Sequence, residues 1–207
     1  IPLGHLFKED FMHLLLVNGF LGSGKTTLIL SLARAAQARG RKAAMIVNEI
    51  GEIGIDNQLM RQLDLNVWEL FNGCICCTLT ADLVSTLQTL DAEYDVDFVV
   101  VEPSGAADPK NVLTALPYYR GRPLESVRWV TVLDPLRLPM LLEVLEPLIA
   151  AGIRQGDCLV ISKADLATAE ELAEATTLTR AVNDRAPLYC LALGSELPPD
   201  LVAGLLP

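Results

Sequence analysis

Short, uninterrupted apolar segments recur along this chain and alternate with longer stretches of helical character. Apolar segments without polar alternation are typical of strands that are buried on both faces, as in parallel sheets. The segments predicted as strands are 14–17, 43–47, 67–70, 98–101, 129–133, 158–161 and 188–193, and those predicted as helices are 25–39, 78–90, 135–150 and 169–183. This alternation predicts an α/β fold with a doubly wound, mostly parallel sheet of about seven strands and helices on both faces.

Composition narrows the classes of protein to which the chain can belong. Of its 207 residues 51% are apolar, enough for a buried core, and the length predicts a single domain over 1–207 with a leader or tag-like segment at 1–12. The formal charge of −10 argues against a nucleic-acid partner, because phosphate binding needs clustered Lys and Arg. No window approaches the ~18 consecutive apolar residues of a membrane span, so we expect no membrane partner either.

The five cysteines are unevenly placed. Cys74, Cys76 and Cys77 crowd together, which is a poor basis for a disulfide framework, and an odd count leaves one thiol over. We therefore expect a reducing, cytoplasmic location. Cys158 and Cys190 each lie within an apolar segment, and both are predicted to be small core residues.

A glycine-rich loop follows the first predicted strand. The segment 19–26, GFLGSGKT, fits the pattern G-x-x-x-x-G-K-[ST] without a mismatch, and its glycines let the backbone aim successive N–H groups at one phosphate. Lys25 is expected to reach the β- and γ-phosphates and the Thr26 hydroxyl to bind Mg²⁺. The alternative is a strand-to-helix turn that binds nothing. The residues predicted here to contact the nucleotide are Gly19, Gly22, Ser23, Gly24, Lys25, Thr26 and Thr27.

A carboxylate ends the predicted strand 98–101. Ligands bind at the carboxyl ends of the strands in a doubly wound sheet, close to the glycine-rich loop. Glu102 is therefore a candidate to hold Mg²⁺ through a water molecule, and the Gly105 amide is a candidate to sense the γ-phosphate. The alternative for Glu102 is a surface acid that ends a strand.

The segment Ser162-Lys163-Ala164-Asp165 follows another predicted strand and has the layout of the guanine-reading N-K-x-D, with Ser in place of Asn. A carboxylate can accept hydrogen bonds from both N1–H and the 2-amino group of guanine, a pair that adenine cannot supply. Asp165 thus favours GTP over ATP, and Ser162, Lys163 and Asp165 are the predicted base-binding residues. The alternative is that Asp165 caps a following helix.

Two further segments separate this sequence from a generic nucleotide hydrolase, NEIGEIGID at 48–56 and NGCICCT at 72–78. Neighbouring thiols suit a soft or borderline cation such as Zn²⁺ or Cu(I). Cys74, Cys76 and Cys77 are the predicted ligands of a transition metal, and Glu49 or Glu52 could complete the site if the loops converge. The alternatives are a redox-sensitive thiol cluster and turn cysteines without a ligand.

In this order, GFLGSGKTT, VNEIGEIGID, FNGCICCT, VEPSGAADP and SKAD resemble the CobW-like metallochaperone GTPases, relatives of the urease- and hydrogenase-accessory GTPases. The resemblance covers nearly the whole chain. It implies a P-loop GTPase fold that binds Mg²⁺–GTP at 19–26, with Glu102 at the glutamate position characteristic of the group, the three cysteines as the metal-handling motif and 49–56 in the first switch.

The sequence departs from that family pattern in three places. Ser162 stands where Asn is usual, and Val47 stands where some relatives carry an acid. Such proteins typically continue into a smaller C-terminal domain, which is expected to be absent here because the chain stops at Pro207; we expect either a shortened chain or a one-domain member of the group.

The resemblance implies a GTPase that couples its nucleotide state to delivery of a transition metal, Zn or Co, to a metal-requiring client protein. A homodimer is a possible assembly. No segment resembles an arginine finger supplied in cis, so we expect slow intrinsic turnover. The expected cofactors are GTP or GDP, Mg²⁺, and Zn²⁺ or another transition metal. Two other functions stay open: a P-loop ATPase or small-molecule kinase, which would prefer ATP, and a nucleotide-bound metal or redox sensor that does not hydrolyse its nucleotide.

Overall fold

A computed structural model describes residues 11–47, 66–69, 78–94, 96–103, 109–192 and 194–206. Seven strands form one sheet. They are β1 (Met12–Gly19), β2 (Ala43–Val47), β3 (Asn66–Glu69), β4 (Phe98–Glu102), β5 (Leu124–Leu133), β6 (Cys158–Ile161) and β7 (Leu188–Cys190). Every pairing among these strands is parallel, which confirms the predicted α/β fold with a parallel sheet of about seven strands.

The first strand, β1, lies in the middle of the sheet. The strand order is β3-β2-β4-β1-β5-β6-β7, so β1 pairs with β4 on one side and with β5 on the other. The chain completes the half that contains β2 to β4 and then crosses to the other side of β1. Ligands of doubly wound folds bind in the crevice at the carboxyl ends of the strands where this direction changes. The carboxyl ends of β1, β4 and β5 are therefore brought to one place.

The residues of β1 explain why an uninterrupted apolar run forms this strand. Residues 14–17 are fully buried, because helices cover both faces of the sheet. Leu15 belongs to a core cluster with α1 (Lys25–Ala38), whereas Leu16 belongs to a cluster on the opposite face with α2 (Thr78–Thr89). Met12, which the sequence placed in a leader segment, lies in β1 and is fully buried.

The other described helices are α3 (Pro109–Ala115), α4 (Leu138–Val144), α5 (Glu146–Gln155), α6 (Ala169–Val182) and α7 (Pro199–Leu205). The predicted helices 25–39, 78–90 and 169–183 are confirmed to within one residue at each end. Thr168 caps the start of α6, because its hydroxyl accepts from the Glu171 N–H (3.2 Å) and the Glu171 carboxylate accepts from the Thr168 N–H (2.7 Å). Within the described ranges, no helix is long and apolar enough to cross a membrane.

The prediction of one helix over 135–150 is wrong, because the structure has a turn and two short helices there. The Asp134 carboxylate accepts from the Leu136 N–H (3.1 Å) and its carbonyl accepts from the Arg137 N–H (3.2 Å), so these residues form a turn. The chain then breaks between α4 and α5. Pro147 has no N–H and its ring would clash with the carbonyl of Glu143 in a continuous helix, so α4 ends at Val144.

The two isolated cysteines differ from each other. Cys158 is buried as predicted, and burial raises the pKa of its thiol to about 12. The prediction that Cys190 is a core residue is wrong, because this side chain is exposed. Its strand β7 is only three residues long and pairs with β6 alone at the edge of the sheet. An apolar sequence context therefore does not bury a residue that lies at the end of an edge strand.

The π-helical turn Leu90–Tyr94 extends α2. An ion pair connects this turn to the segment before β5. The Asp91 carboxylate accepts from the side-chain Nε–H of Arg122 and from its backbone N–H (2.8 Å). The two side chains are only 12% and 13% exposed. Burial alone would raise the pKa of Asp91, but the hydrogen bonds and positive charge of Arg122 outweigh burial and hold this pKa below its ordinary value of 3.8.

We expect Asp91→Asn to lower the free energy of unfolding by ~2 kcal/mol at pH 7, because it removes a charge-assisted contact that is mostly buried. The pKa of Asp91 is lower in the folded than in the unfolded chain, so its contribution is present above the unfolded pKa and is lost as the pH falls through the folded pKa, below 3.8. Urea unfolding at a series of pH values measures this difference. Glu93→Gln, an exposed acid on the same turn, is the control. A stability gap that stayed constant into strong acid would contradict the assignment.

Candidate nucleotide-binding site

Four chain segments meet at the carboxyl edge of the sheet beside β1. A loop at 20–24 joins β1 to α1, and Glu102 ends β4. Asp134 and Ser162 directly follow β5 and β6. Because the strands are parallel, all four positions lie at the same edge of the sheet.

The glycines of the loop hold a backbone shape that other residues would not adopt. Gly22 and Gly24 have φ angles of 75° and 92°, in the left-handed region. A Cβ on Gly19 would lie 2.5 Å from the carbonyl oxygen of Val132 and 2.6 Å from Ser23 Oγ, so a larger residue has no room against β5. The first N–H groups of α1 have no intrahelical acceptor and carry the positive end of the helix dipole. The loop and helix start therefore form a cradle suited to an anion.

The side chains of Lys25 and Glu102 meet at this cradle. Lys25 Nζ lies 3.5 Å from Glu102 Oε1, and the two side chains are 9% and 15% exposed. Thr26 next to Lys25 is half-buried, and Thr27 is exposed. An ammonium, a hydroxyl and a carboxylate beside a helix N-terminus form the donor set that a magnesium-bound polyphosphate needs. The residues present therefore fit such a ligand.

The serine of the S-K-x-D segment contacts the glycine-rich loop from within the protein. Ser162 is fully buried, and its hydroxyl donates to the Ser23 carbonyl (2.6 Å), with the Leu133 carbonyl 3.0 Å away as a second acceptor. Ser23 is also buried, and its N–H donates to the Phe20 carbonyl (3.0 Å) inside the loop. The structure thus places Ser162 underneath the loop, whereas the sequence had suggested direct contact with a base.

Lys163 and Asp165 lie on the accessible side of the same segment. Asp165 is exposed, and Lys163 has a φ of 53°, an uncommon value for a residue other than glycine. Lys163 Nζ donates to Asp134 Oδ2 (2.7 Å), and Asp134 is only 4% exposed. Sequence reasoning missed Asp134. The signal was available, because Asp134 directly follows an apolar strand in the same way as Glu102.

Sequence reasoning also missed Arg137, which lies against the outer part of the loop. Its Nη1 donates to the Leu21 carbonyl (2.7 Å), and its guanidinium carbon lies 5.3 Å from the centroid of the Phe20 ring. The two residues joined by this hydrogen bond are 116 positions apart in the chain. Only the folded arrangement of β1 and β5 side by side brings them together.

The remaining predicted site residues lie outside the described ranges. They are the acidic residues Glu49 and Glu52, the cysteines Cys74, Cys76 and Cys77, and Gly105. In the part of the chain that the structure does describe, no three His, Cys, Asp or Glu side chains lie close enough to hold a metal ion. The transition-metal site therefore stays a prediction.

A glycine-rich loop between a central strand and a helix, with a lysine facing an acid from the neighbouring strand, defines a P-loop nucleotide-binding domain. The chain belongs to the CobW/HypB/UreG family, whose nucleotide-binding domain matches residues 13–189. This result confirms the family resemblance found in the sequence motifs.

Individual relatives match different shares of the chain. The zinc chaperone CobW of Pseudomonas aeruginosa is 40% identical over 110 residues, which are 48% of this chain and 29% of that protein. The zinc chaperone YjiA of Escherichia coli is 32% identical over 203 residues, which are 92% of this chain and 59% of that protein. The chain therefore spans between 29% and 59% of the length of these two relatives.

Solved structures match the fold. The crystal structure of Zn(II)-bound YjiA GTPase from E. coli superposes with a TM-score of 0.66 at 23% sequence identity, covering 94% of this chain and 61% of that one. This likeness confirms that the chain has the fold of a P-loop GTPase.

Proposed function

We propose that this chain binds and hydrolyses GTP and couples its nucleotide state to the binding and delivery of a transition metal, Zn²⁺. The observation that carries the nucleotide part of the proposal is the approach of Lys25 Nζ to Glu102 Oε1 (3.5 Å) beside the glycine-rich loop. Membership of the CobW/HypB/UreG family supports it as well. The names of the two relatives, both zinc chaperones, favour zinc over cobalt.

Each residue of the cradle has a proposed role. The free N–H groups at the start of α1 bind phosphate oxygens, and Lys25 neutralises the negative charge of the β- and γ-phosphates. Thr26 and Glu102 would hold Mg²⁺, Glu102 through a water molecule. The ion, when bound, supplies further neutralisation of the phosphate charge. Gly105 is proposed to sense the γ-phosphate through its N–H.

The base is proposed to lie against the S-K-x-D segment. Asp165 is exposed at the carboxyl edge of the sheet, where its carboxylate can accept from two guanine N–H groups. Lys163, two residues before Asp165, is held in place by the hydrogen bond from its Nζ to Asp134 Oδ2. Ser162 supports the site indirectly through its hydrogen bond to the Ser23 carbonyl.

The metal is the proposed cargo of the protein. Cys74, Cys76 and Cys77 are the proposed ligands, with Glu49 or Glu52 completing the set. In the sequence the cysteines follow β3, and the two acids follow β2. Both strands end at the sheet edge that carries the glycine-rich loop, since all the pairings are parallel. This placement is what supports a link between nucleotide and metal.

The nucleotide state would act on the metal through the loops that contact the γ-phosphate. Such loops order when the γ-phosphate is present and are released after hydrolysis. A change of the metal from mostly bound to mostly free requires ~5 kcal/mol of differential affinity. A metal-requiring client protein in the cytoplasm is the proposed recipient. A homodimer is the proposed assembly, and slow turnover that the client or the second subunit raises is part of the same proposal.

The test is the affinity for Zn²⁺ in the nucleotide-free, GDP-bound and non-hydrolysable GTP-bound forms, measured against a competing chromophoric chelator. We expect the affinities of the GDP and GTP-analogue forms to differ by ~1,000- to 10,000-fold, because this ratio corresponds to the ~5 kcal/mol that moves the metal from mostly bound to mostly free. We also expect Cys76→Ser/Cys77→Ser to lose most of the affinity, because it removes two of the three thiolate ligands.

Cys190→Ser is the matched control, because Cys190 is an exposed thiol on the edge strand far along the chain from the cluster. Equal Zn²⁺ affinity in the double variant and the wild type would remove the cysteines from the proposal. Equal affinity in all three nucleotide states would remove the coupling. If nucleotide binding depended on zinc but GTP was not hydrolysed even with a client present, the alternative function of a non-hydrolysing, nucleotide-bound metal sensor would be favoured.

A further inference from the structure

Arg137 makes a contact at the tip of the glycine-rich loop that the proposed nucleotide chemistry does not yet use. Its Nη1 donates to the Leu21 carbonyl (2.7 Å), and the guanidinium lies over the Phe20 ring at 5.3 Å. Gly22 is close as well, since a Cβ on this residue would lie 3.4 Å from Arg137 Nη1. The guanidinium therefore reaches all three tip residues, 20–22.

Phe20 packs against the core cluster that contains Leu133 and Leu138, whereas the other two residues of the tip are exposed. Leu21 is 58% exposed, and Gly22 is exposed too. The hydrogen bond from the Ser23 N–H to the Phe20 carbonyl closes the base of the tip but does not hold Leu21. A loop that contains several glycines loses more conformational entropy on ordering than other loops do. A contact that orders the tip in advance reduces the entropy that ligand binding must overcome.

The backbone of Arg137 is itself anchored to the base-reading segment. Asp134 accepts the Arg137 N–H through its carbonyl (3.2 Å), and its carboxylate accepts from Lys163 Nζ (2.7 Å). Contacts therefore run from Lys163 through Asp134 and Arg137 to the Leu21 carbonyl. This route is separate from the hydrogen bond that joins Ser162 to the Ser23 carbonyl.

Among the described residues, no acid neutralises the charge of Arg137. In the ranges that the structure describes, no carboxylate lies within ion-pair distance of its guanidinium. A guanidinium has five N–H donors, and the Leu21 carbonyl takes one of them. The positive field of Arg137 thus adds to that of Lys25 at the same loop, which favours a polyanion.

We propose that Arg137 is a positioning residue of the nucleotide site: it holds the tip of the glycine-rich loop in the form that receives the phosphates, and it links that tip to the base-reading segment through Asp134. This inference rests on the proposed GTP binding. The sequence motifs indicated no arginine finger in this chain. Arg137 is an arginine of the same chain that acts on the nucleotide site indirectly, through the loop. Affinity for the phosphate chain should therefore depend on Arg137 even at temperatures where the fold is fully intact.

The test compares Arg137→Ala, Arg137→Lys and, as control, Arg154→Ala, which removes an arginine that is 60% exposed on α5. The equilibrium affinity for a fluorescent non-hydrolysable GTP analogue is measured with Mg²⁺ present, together with the melting temperature. We expect Arg137→Ala to bind ~10- to 50-fold more weakly, as expected for the loss of one charge-assisted hydrogen bond. Arg137→Lys should recover much of the affinity, because an ammonium can still donate to the Leu21 carbonyl.

A second measurement separates positioning from a merely structural role. Asp134→Asn keeps an oxygen that can accept from the Leu136 N–H but weakens the pairing with Lys163. If Arg137 acts through this route, the losses of affinity in Asp134→Asn and Arg137→Ala are not additive in the double variant. Additive losses would remove the link to the base-reading segment.

Two outcomes would overturn the inference while leaving the proposed function intact. The first is an affinity of Arg137→Ala within about 2-fold of wild type while Lys25→Ala binds ~100-fold more weakly or worse. The second is a lower melting temperature in Arg137→Ala without loss of affinity well below that temperature. If Lys25→Ala also bound GTP normally, the proposed function itself would be wrong, and the two failures are thus distinguishable.

Discussion

Lys25→Ala is expected to lower the affinity for GTP by ~100- to 1,000-fold and to abolish measurable hydrolysis. The ammonium of Lys25 is 9% exposed and faces the cradle, so its charge acts on the phosphates with little screening by water. Truncation of one charge in such a desolvated pair typically costs ~2–5 kcal/mol. The variant also removes the ammonium that lies 3.5 Å from Glu102 Oε1 and forms an ion pair with it. Calorimetric titration with a GTP analogue and a phosphate-release assay measure the two effects.

The control for this prediction is Lys42→Ala. Lys42 is exposed just before β2, at the edge of the sheet opposite the glycine-rich loop. The Lys42→Ala variant should have the GTP affinity and the melting temperature of the wild type. Nucleotide affinity in Lys25→Ala within 3-fold of wild type, with an unchanged melting temperature, would contradict the site.

Asp165→Asn is expected to weaken GTP binding by ~100-fold and to create affinity for xanthosine triphosphate. The carboxylate accepts from N1–H and from the 2-amino group of guanine, whereas the asparagine amide has only one acceptor and places a donor against the second N–H. Xanthine carries a carbonyl in place of the 2-amino group, so the amide can pair with both positions. The gain of xanthosine triphosphate binding is a sign of direct base contact that simple damage to the fold would not produce.

Competition of GTP, ATP and xanthosine triphosphate against one fluorescent analogue measures this exchange. Asp184→Asn, which changes an exposed acid beyond α6, is the control. If the wild type bound ATP as well as GTP and Asp165→Asn changed neither, Asp165 would be a surface acid, and the ATPase or small-molecule kinase would become the better interpretation.

The sheet was predictable because the physics that forms it is local in the sequence. A strand covered on both faces must be apolar at every position, and residues 14–17 and 158–161 satisfy that condition and are buried. The start of α6 was predictable because Thr168 and Glu171 cap it within four residues. Prediction was poorer where local signals were ambiguous. Pro147 ended a helix that periodicity alone would have continued, whereas Pro199 opens one in α7.

The candidate site was only partly predictable. Lys25 and Glu102 could be named from their positions after apolar strands, but their approach to 3.5 Å depends on the pairing of β1 with β4. Ser162 matched a base-reading pattern in the sequence, yet its hydroxyl contacts the loop from beneath. The cysteine cluster stays a prediction, because it falls outside the described ranges.

The sequence by itself determined which segments become strands, where the glycine-rich loop lies and to which family the chain belongs, because these depend on residue type and spacing over a few positions. Only the tertiary structure decided that Cys190 is exposed, that Ser162 is buried and that Arg137 contacts Leu21. Those facts depend on which strands are neighbours in the sheet and which lie at its edge. Strand order is set by packing between segments more than 100 residues apart, as for Leu21 and Arg137, and no local pattern encodes it.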